Sequence, residues 1–404
     1  MTHTTPGGPL QGIVVVELAA ELTAYTGKLL VDLGASVTLV EPAEGSPLRR
    51  YEPFLGDRPD PDRSLWWWHY QASKSSVTAD LDTADGVARL QQLLAGADVV
   101  VEAERPGSLA RRGIDETALR AANPRLLWVS ISSHGAADPR SQQPSTDLTV
   151  LAEAGPVWSC GYDDHALPPV RGGGGQAGNV AAHYAVMSLL VALLAREERG
   201  HGQRIDVNAY AAANVTTEFA SYTWLVAGET VQRQTGRHAA PRPTLPTQVE
   251  AADGRWVNTG PPRRGADFVA LAEWLGQLGV ADEFDEFVLL QMGAELEHIG
   301  MDQMEADDLV GEIFAAGRAA MFFLAGKLSA YDLFVGLQER GMPAGIIYSP
   351  DEVAADPHFV ARGWVRPVEH PELGRPVGYA GAPITFPATP ARPLRPAPRL
   401  SDRQ

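Results

Sequence analysis

Residues 12–42 read GIVVVELAAELTAYTGKLLVDLGASVTLVEP, and this stretch decides the fold. Behind Gly12, residues 12–18 form a short apolar run with the length and β-branched content of a buried strand. Residues 23–33 have helical periodicity, which Gly34 ends. Residues 35–41 form a second apolar run that closes on Glu41. Strand, helix and strand within about thirty residues make a β-α-β unit, and such units place their two strands parallel with a right-handed crossover.

The alternation continues outward. Residues 42–70, rich in Pro, Gly, Asp and Arg, read as a long loop that carries Trp66, Trp67 and Trp68 near its end. A strand follows at 77–80 and a helix at 83–95 with Leu90, Leu93 and Leu94 on one face. Next come a strand at 98–102, a helical stretch at 108–122 and a strand at 126–132. This pattern predicts an α/β fold with a doubly wound, mainly parallel sheet. A glycine-rich segment at 171–178 precedes an apolar helix at 180–198, then a strand at 204–207 and a helix to 227. The expected organisation is a large domain of residues 1–227 completed by 340–404, a polar linker at 228–246, and a smaller α+β domain at 247–339. The Pro- and Arg-rich tail from 356 is expected to wrap along a surface.

The chain has 404 residues and a formal net charge of −17. That balance argues against nucleic acid and anionic membrane as partners, because both are polyanions. The N-terminus has no basic region followed by an apolar core, and no uninterrupted apolar run approaches the ~18 residues that span a bilayer. A cytoplasmic location is expected. The single cysteine, Cys160, allows no internal disulfide and reads as a small buried apolar residue. No metal-ligand spacing, Walker loop or dinucleotide fingerprint occurs, so no metal is expected.

Several strings occur in a telling order: the opening stretch, then SKSSVTADLDTADG, VVVEAERPGSLARRGID, ALRAANPRLLWVSISSHG, LLAREERGHGQRIDV, GMPAGIIYSPDEVAADPHFVARGW, HPELGRPV and APRLS. Together they resemble the class III CoA-transferase family, which includes formyl-CoA transferase, carnitine CoA-transferase and the α-methylacyl-CoA racemases. The resemblance implies a large α/β domain built from both chain ends, a smaller inserted domain, two interlocked subunits, and coenzyme A or an acyl-CoA as substrate. Lys74, Arg105, Arg111 and Arg112 form a cationic set beside strand ends, suited to CoA phosphates. Two departures fall in the same region. The family's asparagine-phenylalanine pair is Ala103-Glu104 here, and its alanine-glycine-proline turn is Thr23-Ala24-Tyr25.

The family transfers CoA through an aspartate that forms anhydride and thioester intermediates. Counting back from HYAVMSLLVALLAR places that position at Gly178, between Gln176-Ala177 and Asn179. No Asp or Glu occurs between Asp164 and Glu197, so a slip in the alignment does not restore it. Asp163 and Asp164, the nearest acids, read as turn residues. Gly172 to Gly175 read either as an anion-binding backbone nest or as a surface loop. The racemase branch uses a histidine-aspartate pair that is Thr146-Asp147 here. His134 and Asp147 remain as candidate bases, with helix capping the alternative for Asp147. His183 reads as a buried core histidine, and the three tryptophans as a pocket wall or subunit contact.

Three functions follow. The first is an enzyme acting on a CoA thioester or similar acyl substrate by chemistry other than the family's standard route. The second is a catalytically silent subunit paired with an active paralogue. The third is a conventional transferase or racemase with a displaced catalytic residue. The assembly would be a homodimer, or a heterodimer with the paralogue.

Overall fold

The computed structural model describes residues 7–402. The chain divides into two compact units. The first takes residues up to 160, 170–228 and those from 354 onward; the second takes 161–169 and 229–353.

The first unit begins with β1 (Val14–Leu18), α1 (Glu21–Asp32) and β2 (Ser36–Glu41). Next are α2 (Leu65–Gln71), β3 (Ser75–Thr78), α3 (Ala84–Ala95) and β4 (Val99–Glu102). Then follow α4 (Ser108–Arg111), α5 (Glu116–Ala122), β5 (Leu127–Ser132) and α6 (Asp147–Ala154). The unit continues with α7 (Gln176–Arg199), β6 (Arg204–Asn208), α8 (Ala209–Val215) and α9 (Glu218–Ala227). The six strands form one parallel sheet in the order β3-β2-β1-β4-β5-β6, with Val15 of β1 paired to Val37 and to Val99. Helices cover both faces, and the central strand β4 is apolar without alternation, with Val99, Val100 and Val101 all fully buried. One face packs Val15, Leu30, Val37 and Leu127 against Ala181, Ala185 and Leu189 of α7. The other packs Val16, Val40 and Val100 against Leu90 and Leu94 of α3.

Strand order reverses between β1 and β4. In doubly wound sheets, ligands bind beyond the carboxyl ends of the strands at this switch point.

Several local expectations change. The stretch at 108–122 is two helices, because Gly113 takes φ +85° and Asp115 caps a new start by accepting from Thr117 N at 2.9 Å. α1 begins at Glu21, with Thr23 Oγ1 accepting from Ala20 N at 3.2 Å. α7 begins at Gln176, which puts Gly178 inside its first turn. By length and hydropathy α7 is able to cross a membrane, yet 44% of its most apolar stretch is buried inside the protein. Cys160 is exposed, not buried. His183 is also exposed, and its Nδ1 lies 2.8 Å from Asn179 O. Trp67 and Trp68 are core residues, packed with Val368, Tyr379 and Ala397 from the C-terminal segment. Trp67 Nε1 donates to Pro398 O at 3.1 Å. The tail thus closes a core of this unit.

The second unit contains a three-stranded antiparallel sheet in which Trp256–Thr259 is central, flanked by Gln248–Glu250 and Ala344–Ile346. Phe268, Trp274, Leu324 and Leu333 from its helices fill the core. Within residues 228–246, Gln232–Gln234 pairs with Arg237–Ala240 as a short ribbon. Asp163 belongs to this unit and is ion-paired with Arg237 at 2.8 Å, an interaction that holds its carboxyl below the ordinary range.

Candidate functional site

A cleft of about 330 Å³ opens beyond the carboxyl ends of β1, β4 and β5. Its walls come from the first turn of α1, the loop after β4, the segment between β5 and α6, and the first turn of α7. Ala103, Glu104, Arg105, Thr146, Asp147, Gly178 and Asn179, drawn from three separate stretches of sequence, all line it.

Gly178 leaves a real gap. A Cβ placed there would meet nothing closer than Leu22 Cδ2 at 3.8 Å and the Glu21 carbonyl oxygen at 3.9 Å. The surrounding groups are tied down. Asp147 Oδ1 accepts from Ala177 N at 2.8 Å, and its Oδ2 accepts from Arg171 at 2.8 Å. Its carboxylate therefore caps the N-terminus of α7, where helix-dipole attraction favours negative charge. Thr146 caps α6 by accepting from Thr149 N at 3.3 Å. Asn179 Oδ1 accepts from the Tyr70 hydroxyl at 3.3 Å. The Tyr70 pKa is raised chiefly by burial; the Asn179 hydrogen bond opposes the rise, and the charges of Glu21 and Asp147 add smaller contributions to it. Tyr70 therefore enters the cleft as a neutral donor. Tyr25 stands behind it, edge-on at 5.8 Å, with its own pKa raised chiefly by burial.

The cationic set separates. Arg105 is on the cleft wall, exposed, and has no carboxylate partner among the described residues. Arg111 is exposed on α4. Arg112 bridges Glu104 at 3.1 Å and Asp82 at 3.2 Å, so the carboxylate that replaces the family's asparagine-phenylalanine pair is neutralised locally. Lys74 departs from its expected place beside a phosphate. Its ammonium is fully buried, 2.7 Å from Glu17 Oε2 and 3.0 Å from the Ala24 carbonyl. Burial lowers the Lys74 pKa and raises that of Glu17, each against the pull of the other.

His134 does not line the cleft. It is 6% exposed, with Nε2 at 3.2 Å from Glu153 and its ring 5.9 Å from that of Tyr210. Gln176 points outward and donates to Gly173 O at 3.2 Å. Of the two candidate bases, only Asp147 reaches the site.

Residues the sequence did not single out complete the walls. Glu21, Tyr70, Ser132, Ser133 and Ser145 all line the cleft, and Trp66, alone of the three tryptophans, lines it with them. Ser132 Oγ is buried without a hydrogen-bond partner among the described residues. Glu21 carried a signal in hindsight, because an acid in the first turn after β1 faces the switch point of the sheet. Among the described residues no group of three His, Cys, Asp or Glu is placed to hold a metal ion.

Comparison with known proteins fits this picture. The family model described as CoA-transferase family III matches residues 10–404. A succinyl-CoA–D-citramalate CoA-transferase from Chloroflexus aurantiacus is 33% identical over 381 residues, covering 93% of this chain and 87% of the relative. A subunit of succinyl-CoA:(R)-benzylsuccinate CoA-transferase from Thauera aromatica is 28% identical, covering 96% and 90%. Among solved structures, a CaiB/BaiF family protein from Brucella suis superposes with a TM-score of 0.78 at 25% identity, covering 98% and 97%.

Proposed function

The chain belongs to CoA-transferase family III, and from that premise we propose that it binds an acyl-CoA with the thioester beside Gly178 and exchanges CoA between carboxylic acids. The observation that carries this reading is the open space at Gly178 within a cleft walled by polar side chains. A protein that had lost the ligand would be under no constraint to keep that space clear. Arg105 and Arg111 are the cations we assign to the CoA phosphates, since guanidinium pairs with phosphate through two parallel hydrogen bonds. Lys74 has no part in this reading, because its ammonium is committed to Glu17. The chemistry is not run from position 178, where there is no carboxylate. We place the protein in the cytoplasm and expect it to pair, with itself or with a paralogue.

A second reading is a silent subunit that supports an active paralogue. It is favoured by the glycine itself and by relatives named as subunits of CoA-transferases. One set of measurements separates the two. Calorimetric titration with CoA, with Arg105→Ala as control, tests binding. Transfer from succinyl-CoA to a panel of dicarboxylic acids tests turnover, since both relatives are named for that donor. Binding with turnover supports the transferase, and binding without turnover supports the silent subunit. Absence of CoA binding refutes both.

A further inference from the structure

Exchange of CoA between two acids without loss of the thioester's free energy requires a group on the protein that can hold first the acyl moiety and then CoA. A carboxylate does this, because its anhydride and its thioester are both as activated as the starting thioester. Position 178 supplies none, but three carboxylates do line the cleft: Glu21, Glu104 and Asp147. Two of them are occupied. Glu104 is paired with Arg112 and also accepts from Ser108 Oγ at 2.9 Å. Asp147 has one oxygen on Arg171 and the other on the amide of Ala177. A carboxylate neutralised by a guanidinium or spent on a helix cap is a poor nucleophile.

Glu21 differs on each count. It is exposed and has no cationic partner among the described residues. Its Oε2 accepts one neutral hydrogen bond, from the Tyr51 hydroxyl at 3.0 Å. Burial, and then the charge of Glu21, push the Tyr51 pKa up to about 12, so this hydroxyl stays a donor at neutral pH. Glu21 is also adjacent to the gap, since its backbone oxygen is 3.9 Å from where a Gly178 side chain would begin. Its charge reaches the Tyr70 hydroxyl, which also bonds Asn179, the residue after Gly178.

Resting on the acyl-CoA reading above, we propose that Glu21 is the nucleophile of this cleft, supplying from the first turn of α1 the carboxylate absent from the first turn of α7. A Glu21 carboxylate oxygen attacks the thioester carbonyl; the C–S bond breaks, CoA leaves as thiolate, and the acyl group remains on Glu21 as an anhydride. The thiolate then attacks the side-chain carbonyl carbon of Glu21, expelling the donor acid as its carboxylate and leaving CoA on Glu21 as a thioester. The acceptor carboxylate repeats the two steps in reverse and regenerates Glu21. No water, oxidant or reductant is consumed.

The test uses the full chain with succinyl-CoA and hydroxylamine, followed by peptide mass spectrometry. The expected result is a hydroxamate on the peptide containing Glu21, absent from Glu21→Gln. In that variant transfer should fall by ~10³-fold or more, as on removal of other covalent nucleophiles, with CoA affinity unchanged by calorimetry. Adding Gly178→Asp to Glu21→Gln should restore part of the transfer and move the hydroxamate to residue 178, where the space is open. A hydroxamate on Asp147 or Glu104, or full transfer by a folded Glu21→Gln, overturns the role of Glu21 and leaves the acyl-CoA reading standing. A wild-type protein that binds CoA but neither transfers nor labels overturns the role of Glu21 and the transferase reading together, and leaves the silent subunit. A wild-type protein that binds no CoA removes both.

Discussion

Replacing Lys74 by methionine keeps the length of the side chain and removes the charge that Glu17 faces across 2.7 Å with both groups fully buried. At that separation the gross attraction is about 6 kcal/mol for an effective dielectric near 20. Desolvation of both ions consumes much of it, and breaking such a pair by deleting one partner costs about 3–5 kcal/mol. The unfolding constant of the first unit should rise by roughly 10²- to 10⁴-fold at pH 8, measured by guanidinium or thermal denaturation. The sign of the pH dependence is fixed by Glu17. Its folded pKa is raised above 4.5 by burial, and removal of Lys74 raises it further. A carboxyl raised in the fold stabilises while protonated in both states and destabilises as pH climbs from its unfolded value through its folded one. The defect of Lys74→Met should therefore shrink towards pH 4.5 and be largest at neutral to mildly alkaline pH. Lys74→Met with Glu17→Gln leaves no lone charge and should recover most of the stability, as replacement of buried pairs by neutral groups commonly does. That double variant should also bind CoA as the wild type does. A loss below ~1 kcal/mol for Lys74→Met at pH 8 would refute the structural role. A stable double variant with CoA binding weakened tenfold or more would return Lys74 to the phosphate site.

Three further outcomes are expected. Burial, with help from Lys28, depresses His69 from 6.5 to about 4, so it is neutral in the fold at pH 7. Its contribution is complete above pH 6.5 and is lost as pH falls towards 4, by roughly 3 kcal/mol at most; an isosteric His69→Asn should flatten that part of the pH–stability curve, and an unchanged curve would refute the assignment. Gly86→Ala would drive a Cβ to within 1.9 Å of the Asp80 carbonyl oxygen, a backbone atom that has no flexible way to yield; a loss of about 3 kcal/mol is expected on denaturation, and a stable variant would show that the turn before α3 relaxes freely. Arg105→Ala should weaken CoA binding about tenfold, or 1.4 kcal/mol, and reduce its salt dependence; equal affinity at low and high salt for both proteins would remove Arg105 from the phosphate site.

Fold class and family are written in local sequence. Strands buried on both faces are rich in apolar residues, so β1, β2 and β4 are legible as Val- and Leu-rich runs, and Gly34, Gly96 and Gly200 mark the ends of α1, α3 and α7. Gly178 is singled out only through the family resemblance, by counting back along the α7 string HYAVMSLLVALLAR, and not by any periodicity of its own. Other features depend on which surfaces meet. Lys74, Arg105, Arg111 and Arg112 are all cations beside strand ends, and nothing local distinguishes the one that a buried Glu17 captures from the ones left in water. His134 and Asp147 both read as bases, but only packing decides that one ring turns to Glu153 while the other carboxylate caps α7. His183 stands in an apolar helix and Cys160 reads as a small apolar residue, yet both are exposed. Glu21 and Gly178 are far apart along the chain and become neighbours only when α1 and α7 pack side by side. Sequence thus determined the elements and their order, because backbone hydrogen bonding and burial act within short windows. Tertiary structure decided the charge pairing and the composition of the cleft, because desolvation and Coulomb energies depend on distances that no local pattern encodes.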